Sequence, residues 1–143
     1  MNLPIVGQIA PGGVPLPVYG FRVPAGFPSP AQDHLEQTIS LDALFDIRAP
    51  HTYLVYVDGD SLRDIGIFDG DLLVVDRSLP AEHGAVVVAA LNDEPMVKIL
   101  HKRGTDIRLL SANDKYPPRF VLEGDELRIW GVVKFSVRSH GCT

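Results

Sequence analysis

At 143 residues the chain has room for one domain with a genuine core, but not for two independent ones. A composition of 45% apolar and 22% charged residues is that of an ordinary globular protein. The formal net charge of -5 opposes direct nucleic-acid binding, which needs a basic surface.

Residues 1–30 hold seven of the twelve prolines, five of the thirteen glycines and one charged residue, Arg22. Such a segment sustains neither a helix nor a central strand, so it reads as an extended arm with apolar sticking points at Ile5, Val18, Phe21 and Phe27. Its prolines cut every apolar run and no basic residue precedes Arg22, which is not the pattern of a secretory signal. No apolar run approaches membrane-spanning length. Cys142 is the single cysteine, so no intrachain disulfide forms, and a reducing cytoplasm is the expected location.

The arm gives way at Ser29-Pro30-Ala31-Gln32, a capping box with proline at the first helical position. This predicts a short helix in which Leu35 and Ile39 share a face, and Leu41, Leu44 and Phe45 mark a second short turn. The expected organisation is therefore an arm over 1–30 and a β-rich domain over 31–143. Strands are predicted at Tyr53 to Val57, Leu72 to Asp76, Ala85 to Leu91, Met96 to Lys102, Asp106 to Leu110 and Glu126 to Val137. Turn signals separate them, among them Asp69-Gly70, His83-Gly84, Asn92-Asp93-Glu94-Pro95 and Arg103-Gly104. The runs Val86 to Leu91 and Met96 to Leu100 flank a polar loop and read as an antiparallel hairpin. The fold class is mainly β: a compact, strongly coiled domain with one short helix.

Ser61 sits on a Gly-Asp bend directly after the apolar run Tyr53 to Val57, where a nucleophile can be held out from a strand end. A serine hydroxyl needs a group to take its proton. None of His34, His51, His83, His101 and His140 carries a flanking signature that would orient it towards Ser61. Lys98 is the stronger base. Period-two alternation puts Met96, Lys98 and Leu100 on one strand face and Val97 and Ile99 on the other, so both faces around the amine are apolar. Desolvation disfavours the ammonium form and makes a neutral amine available. The competing readings are a turn serine and a lysine that snorkels to water from an edge strand.

Metal and cofactor sites are not expected. Asp58-Gly59-Asp60-Ser61-Leu62-Arg63 starts like a calcium loop, but Leu62 stands where an oxygen ligand is needed and Arg63 where glycine belongs. One cysteine and scattered histidines make no zinc site. Gly-Asp-Ser-Leu is also the opening of the GDSL esterases, which need a late Asp-x-x-His. Here Val137 stands three residues before His140.

Three separated motifs, AGFPSPAQDHLEQ, GDSLRDIGIFDGDLLVVD and HGAVVVAALNDEPMVKIL, closely resemble the LexA/UmuD-type self-cleaving serine peptidase family, in its UmuD-like form, from about Ala25 to Val137. The resemblance implies Ser61 as nucleophile, Lys98 as general base and Ala25-Gly26 as the self-cleaved bond. It further implies a homodimer, cleavage prompted by a RecA filament on single-stranded DNA, and a cut form that joins a UmuC-type error-prone translesion polymerase. Two positions depart from the family pattern. Leu62 replaces the methionine that commonly follows the serine, a volume-conserving swap, and Pro24 removes one backbone N–H beside the cleaved bond.

In that scheme Ser61 attacks the Ala25 carbonyl while Lys98 takes the proton and returns it to the Gly26 amine. The Ser61 backbone N–H is the expected oxyanion donor. An extended chain from Gly26 to Ser61 reaches roughly 100 Å at about 3.3 Å per residue, so cleavage within a subunit and across a dimer both stay open. Two rivals stand beside it: a non-enzymatic polymerase-binding β module and a small GDSL-type esterase. A repressor would need a helix-turn-helix ahead of the cleavage site, for which the arm has too many prolines and too little charge.

Overall fold

The computed structural model describes residues 13–19, 35–47 and 50–141. They fall into two compact units that divide between Ala49 and Pro50. Ala25, Gly26, the capping box at residues 29–32, His34 and Cys142 lie outside the described residues.

In the first unit, β1 (Pro15–Tyr19) and β2 (Leu35–Ser40) form a two-stranded antiparallel sheet, with Pro15 opposite Ser40 and Pro17 opposite Thr38. Prolines two residues apart share one edge of a strand, and a two-stranded sheet leaves each strand one edge without a neighbour. β2 corrects the sequence reading, which took Leu35 and Ile39 for a helical face. A four-residue spacing is even as well as near-helical, and Thr38 and Ile39 are β-branched, so once a partner strand is present the extended form wins. The second expected turn is found as α1 (Leu41–Leu44), where Ser40 Oγ accepts the Ala43 N–H at 3.1 Å as an N-cap.

The second unit is a seven-stranded antiparallel sheet. Its strands are β3 (Thr52–Tyr56), β4 (Leu72–Asp76), β5 (Val86–Leu91), β6 (Glu94–Arg103), β7 (Asp106–Leu110), β8 (Arg119–Phe120) and β9 (Leu127–Val137), ordered β3-β4-β9-β5-β6-β7-β8. The fold is mainly β, as expected, and the β4 and β7 boundaries coincide with those read from the sequence. The β5–β6 connection is tighter than the four-residue loop expected: Leu91 pairs with Glu94 across Asn92-Asp93, both at positive φ, which is the two-residue hairpin turn that matches strand twist. Pro95 is tolerated inside β6 because β7 pairs only from Ile99 onward, leaving the Glu94 to Lys98 stretch bonded to β5 alone.

Alternation along β5 and β6 feeds two clusters. Val88, with partly buried Val86, Val97 and Ile99, packs with Val57, Leu62, Ile67, Leu73 and Val75. Val87, Ala89, Leu91 and Leu100, with Met96, pack with Leu109. Both sides of β6 are thus apolar, and each fully buried Leu or Val stabilises the fold by about 1.5–3 kcal/mol. Pairing along β9 shifts register at Val74/Val75 on one side and at Val88/Ala89 on the other, the kind of irregularity that increases the local twist of a strand.

Candidate active site

After β3 the chain leaves the sheet at Val57 and is held by neighbours rather than by a ladder. Val57 N–H donates to Asp71 O at 2.8 Å and Gly70 N–H to Val57 O at 2.8 Å. Gly59 has φ 98°, a conformation an L side chain resists, and its N–H donates to Asp69 Oδ1 at 2.7 Å. Ser61 follows, half-buried, and Leu62 behind it is 2% exposed. Leu62 is the anchor: it drives into the core cluster, and a single 3₁₀ turn (Arg63–Ile65) closed by Gly66 at φ 85° sends the chain back. The methionine-to-leucine departure thus falls at a packed apolar position. Asp69-Gly70-Asp71 is a turn, as read from the sequence, with Asp71 N–H donating to Phe68 O at 3.0 Å.

Lys98 comes from the stretch of β6 that lacks a second neighbour strand. Ser61 and Lys98 both line a cleft of about 560 Å³, together with Val55 to Leu62, Val88, Pro95 to Val97, Tyr116 and Trp130. No histidine lines it among the described residues. His83 and His101 instead stack edge to face at 5.0 Å beside the β6–β7 hairpin, where His83 Nδ1 accepts the Lys102 N–H at 3.0 Å. Among the described residues the GDSL reading therefore finds no histidine, His140 included, lining the cleft of Ser61.

Burial pushes the Lys98 amine below the usual lysine range, and the neighbouring positive charge of Arg119 acts in the same direction. The Tyr116 ring, 5.4 Å from Nζ, covers the amine on one side. Among the described residues the amine donates to Ser111 Oγ at 2.8 Å, and no hydrogen bond joins it to Ser61. The Ser61 backbone N–H makes no hydrogen bond among the described residues, and so faces no internal competitor for an incoming oxygen. Chemically, an amine with a weakened hold on its proton and a hydroxyl on a stiff bend share one largely apolar cleft.

Sequence reasoning missed the segment that joins the two halves. Beyond β7, Ala112 N–H donates to Ser61 O at 2.7 Å and Asp64 N–H donates to Ala112 O at 2.8 Å. Asn113, 4% exposed, donates through Nδ2 to Asp60 O at 2.9 Å. Tyr116 Oη donates to Asp60 Oδ1 at 2.6 Å, and Lys115 Nζ reaches Asp60 Oδ2 at 3.4 Å. The Tyr116 hydrogen bond holds the Asp60 carboxyl below the usual carboxylate range, and the same bond pushes the Tyr116 phenol up. No group of three or more His, Cys, Asp or Glu residues that could hold a metal occurs among the described residues. No helix among them is long and apolar enough to cross a membrane.

Known proteins match this chain across the same region. The Peptidase S24-like family model matches residues 17–134. The LexA repressor of Thiobacillus denitrificans is 47% identical over 131 residues, which cover 90% of this chain and 64% of that protein. The LexA repressor of Bordetella avium is 41% identical over 87% of this chain and 58% of its own length. Protein MucA of Salmonella typhimurium is 42% identical over 87% of this chain and 86% of its own. The chain thus spans less than two thirds of those LexA repressors. Similar identities to LexA and to MucA place the likeness at the level of the family and not at the narrower UmuD-like branch. With a β fold that brings a bend serine and a half-buried lysine to one cleft, and with a family match over most of its length, this chain belongs to the Peptidase S24-like family of LexA/UmuD-type proteins.

Proposed function

We propose that this chain cuts its own N-terminal segment at Ala25-Gly26, with Ser61 as nucleophile and Lys98 as general base, in response to DNA damage. The observation that supports this most is the shared cleft: a serine on a rigid bend and an amine depressed by burial line one cavity without a histidine or a metal-binding cluster among the described residues. Ser61 Oγ attacks the Ala25 carbonyl and passes its proton to Lys98 Nζ. The Ser61 N–H receives the developing oxyanion, and the proton leaves with the Gly26 amine. Small residues on both sides of the bond let it enter the cleft. The β6 edge from Glu94 to Lys98, bonded only to β5, offers backbone groups to an added strand.

The UmuD-like form of the function is also a proposal: a cytoplasmic homodimer, cleavage stimulated by a RecA filament on single-stranded DNA, and a cut product that serves a UmuC-type translesion polymerase. Its support is the motif pattern around Ala25, Ser61 and Lys98. Identity of 47% to a LexA repressor favours a second reading, self-cleavage that inactivates a DNA-binding repressor. Incubating wild type, Ser61→Ala and Lys98→Ala with and without a RecA filament tests the chemistry. Shortening at Ala25-Gly26 in wild type alone is expected. Shortening that persists in either variant contradicts the dyad, and operator-type DNA binding by the uncut chain favours the repressor.

A further inference from the structure

We infer that Ser111 is the positioning residue for Lys98: its hydroxyl holds the amine by one N–H so that the nitrogen lone pair is turned to the Ser61 hydroxyl. The inference rests on the dyad reading above and adds a third residue to it.

The placement follows from strand register. β6 and β7 pair with Ile99 opposite Leu110, Leu100 opposite Leu109 and Arg103 opposite Asp106. One further step along that register sets Ser111 opposite Lys98, on the face where Leu109 and Leu100 are buried. The contact is made: Nζ donates to Ser111 Oγ at 2.8 Å. The next residue, Ala112, is bonded through its backbone to Ser61 O at 2.7 Å and Asp64 N. Asn113 and Tyr116 fasten Asp60. One short segment therefore grips the nucleophile's bend through its backbone and the base through Ser111, fixing the two relative to each other.

A neutral amine has one lone pair and two N–H bonds, and it rotates freely about Cε–Nζ unless a bond stops it. The apolar wall supplies no acceptor, and Val87, opposite Lys98 on β5, has none to offer. The charged or titratable groups around the amine are Arg119, itself paired with Glu94 at 3.0 Å, the Tyr116 ring, the Asp60 and Lys115 pair beyond it, and Asp58, which lines the same cleft without a hydrogen bond to the amine. Arg119 offers only donors and Tyr116 presents its ring, so the Ser111 oxygen is the acceptor that orients Nζ.

The same oxygen also accepts from the ammonium form, which it favours. Losing it has two opposite consequences: a poorly aimed base, and a base that gives up its proton at lower pH. A merely structural role for Ser111 predicts the reverse shift, because loosening the cleft admits water and returns lysine towards its ordinary behaviour.

The test is the pH profile of self-cleavage for the full chain and its Ser111→Ala and Ser111→Thr variants. It is paired with nuclear magnetic resonance titration of the Lys98 side chain in a Ser61→Ala background, where no cutting intervenes. The alkaline plateau should fall about 10- to 100-fold in Ser111→Ala. Its midpoint and the Lys98 titration should both move to lower pH, and Ser111→Thr should restore both. A plateau within twofold of wild type, a midpoint that moves up, or a threonine variant as slow as alanine overturns the inference. Cleavage that survives Lys98→Ala overturns the dyad and this inference together, whereas cleavage lost in Lys98→Ala and unchanged in Ser111→Ala overturns the inference alone.

Discussion

Asn113→Ala is expected to loosen the nucleophile's bend and destabilise the fold together. Asn113 is 4% exposed, donates to Asp60 O at 2.9 Å and accepts the Lys115 N–H at 3.1 Å. Two hydrogen bonds at about 1–1.5 kcal/mol each give a loss of about 2–3 kcal/mol. For a unit that runs from Pro50 to Thr143, each kcal/mol shifts Tm by about 4–8 °C, so a fall of roughly 10–20 °C is expected. Thermal melting by circular dichroism in a Ser61→Ala background reads this without interference from cutting. The cleavage rate at a temperature where the variant stays folded should also drop, because Asp60 immediately precedes the nucleophile. A Tm fall under about 2 °C, at the lower limit of what one lost bond should give, would refute the reasoning.

Gly131→Ala places a methyl 2.6 Å from Val75 Cγ1 and 3.2 Å from Asp76 O, against a Val75 that is 0% exposed and has nowhere to move. Overpacking of this kind costs about 1–3 kcal/mol, a Tm loss on the order of 10 °C, and an unchanged melt would contradict it. Arg138 grips the buried Asp71 carboxylate at 2.8 and 3.0 Å and also donates to Gly66 O at 3.0 Å, tying the C-terminal strand to the loop after the serine. Arg138 holds the Asp71 carboxyl below the usual range, with help from the Phe68 N–H and against the opposing effect of burial. A depressed carboxyl stabilises the fold above its unfolded pKa, about 3.9, and that contribution disappears as pH falls through the lower folded value. The Tm gap between wild type and Arg138→Ala should therefore be full above about pH 5 and shrink in stronger acid; a gap that widens in acid contradicts the linkage.

Much of the β unit was legible because its signals are local. Leu72 to Val75 is an unbroken apolar run that Asp76 closes, and Asp106 to Leu110 sits just past Gly104, so both strands coincide with expectation. β2 is misread because two apolar residues four apart satisfy either periodicity, and the partner strand that decides between them carries Pro15 and Pro17 in a segment that sequence rules treat as a breaker. β8 is only Arg119–Phe120, too short to announce itself after Pro117 and Pro118. Lys98 was found because apolar neighbours on both sides are visible in sequence. Ser111 was within reach: a turn at Gly104 fixes a register in which positions 98 and 111 face each other. Asn113 and Tyr116 were not, since they meet Asp60 from 53 and 56 residues away through contacts no short-range pattern encodes.

The central claim is that an amine depressed by burial takes the proton of Ser61. The most direct measurement is the self-cleavage rate as a function of pH, for wild type and Lys98→Ala, while both remain folded. A wild-type rate that rises about tenfold per pH unit and levels off below the ordinary lysine value near 10.4, with no cleavage in Lys98→Ala, is the predicted result. A rate that does not change with pH, or one that rises and levels near 6.5 as a histidine would dictate, contradicts it.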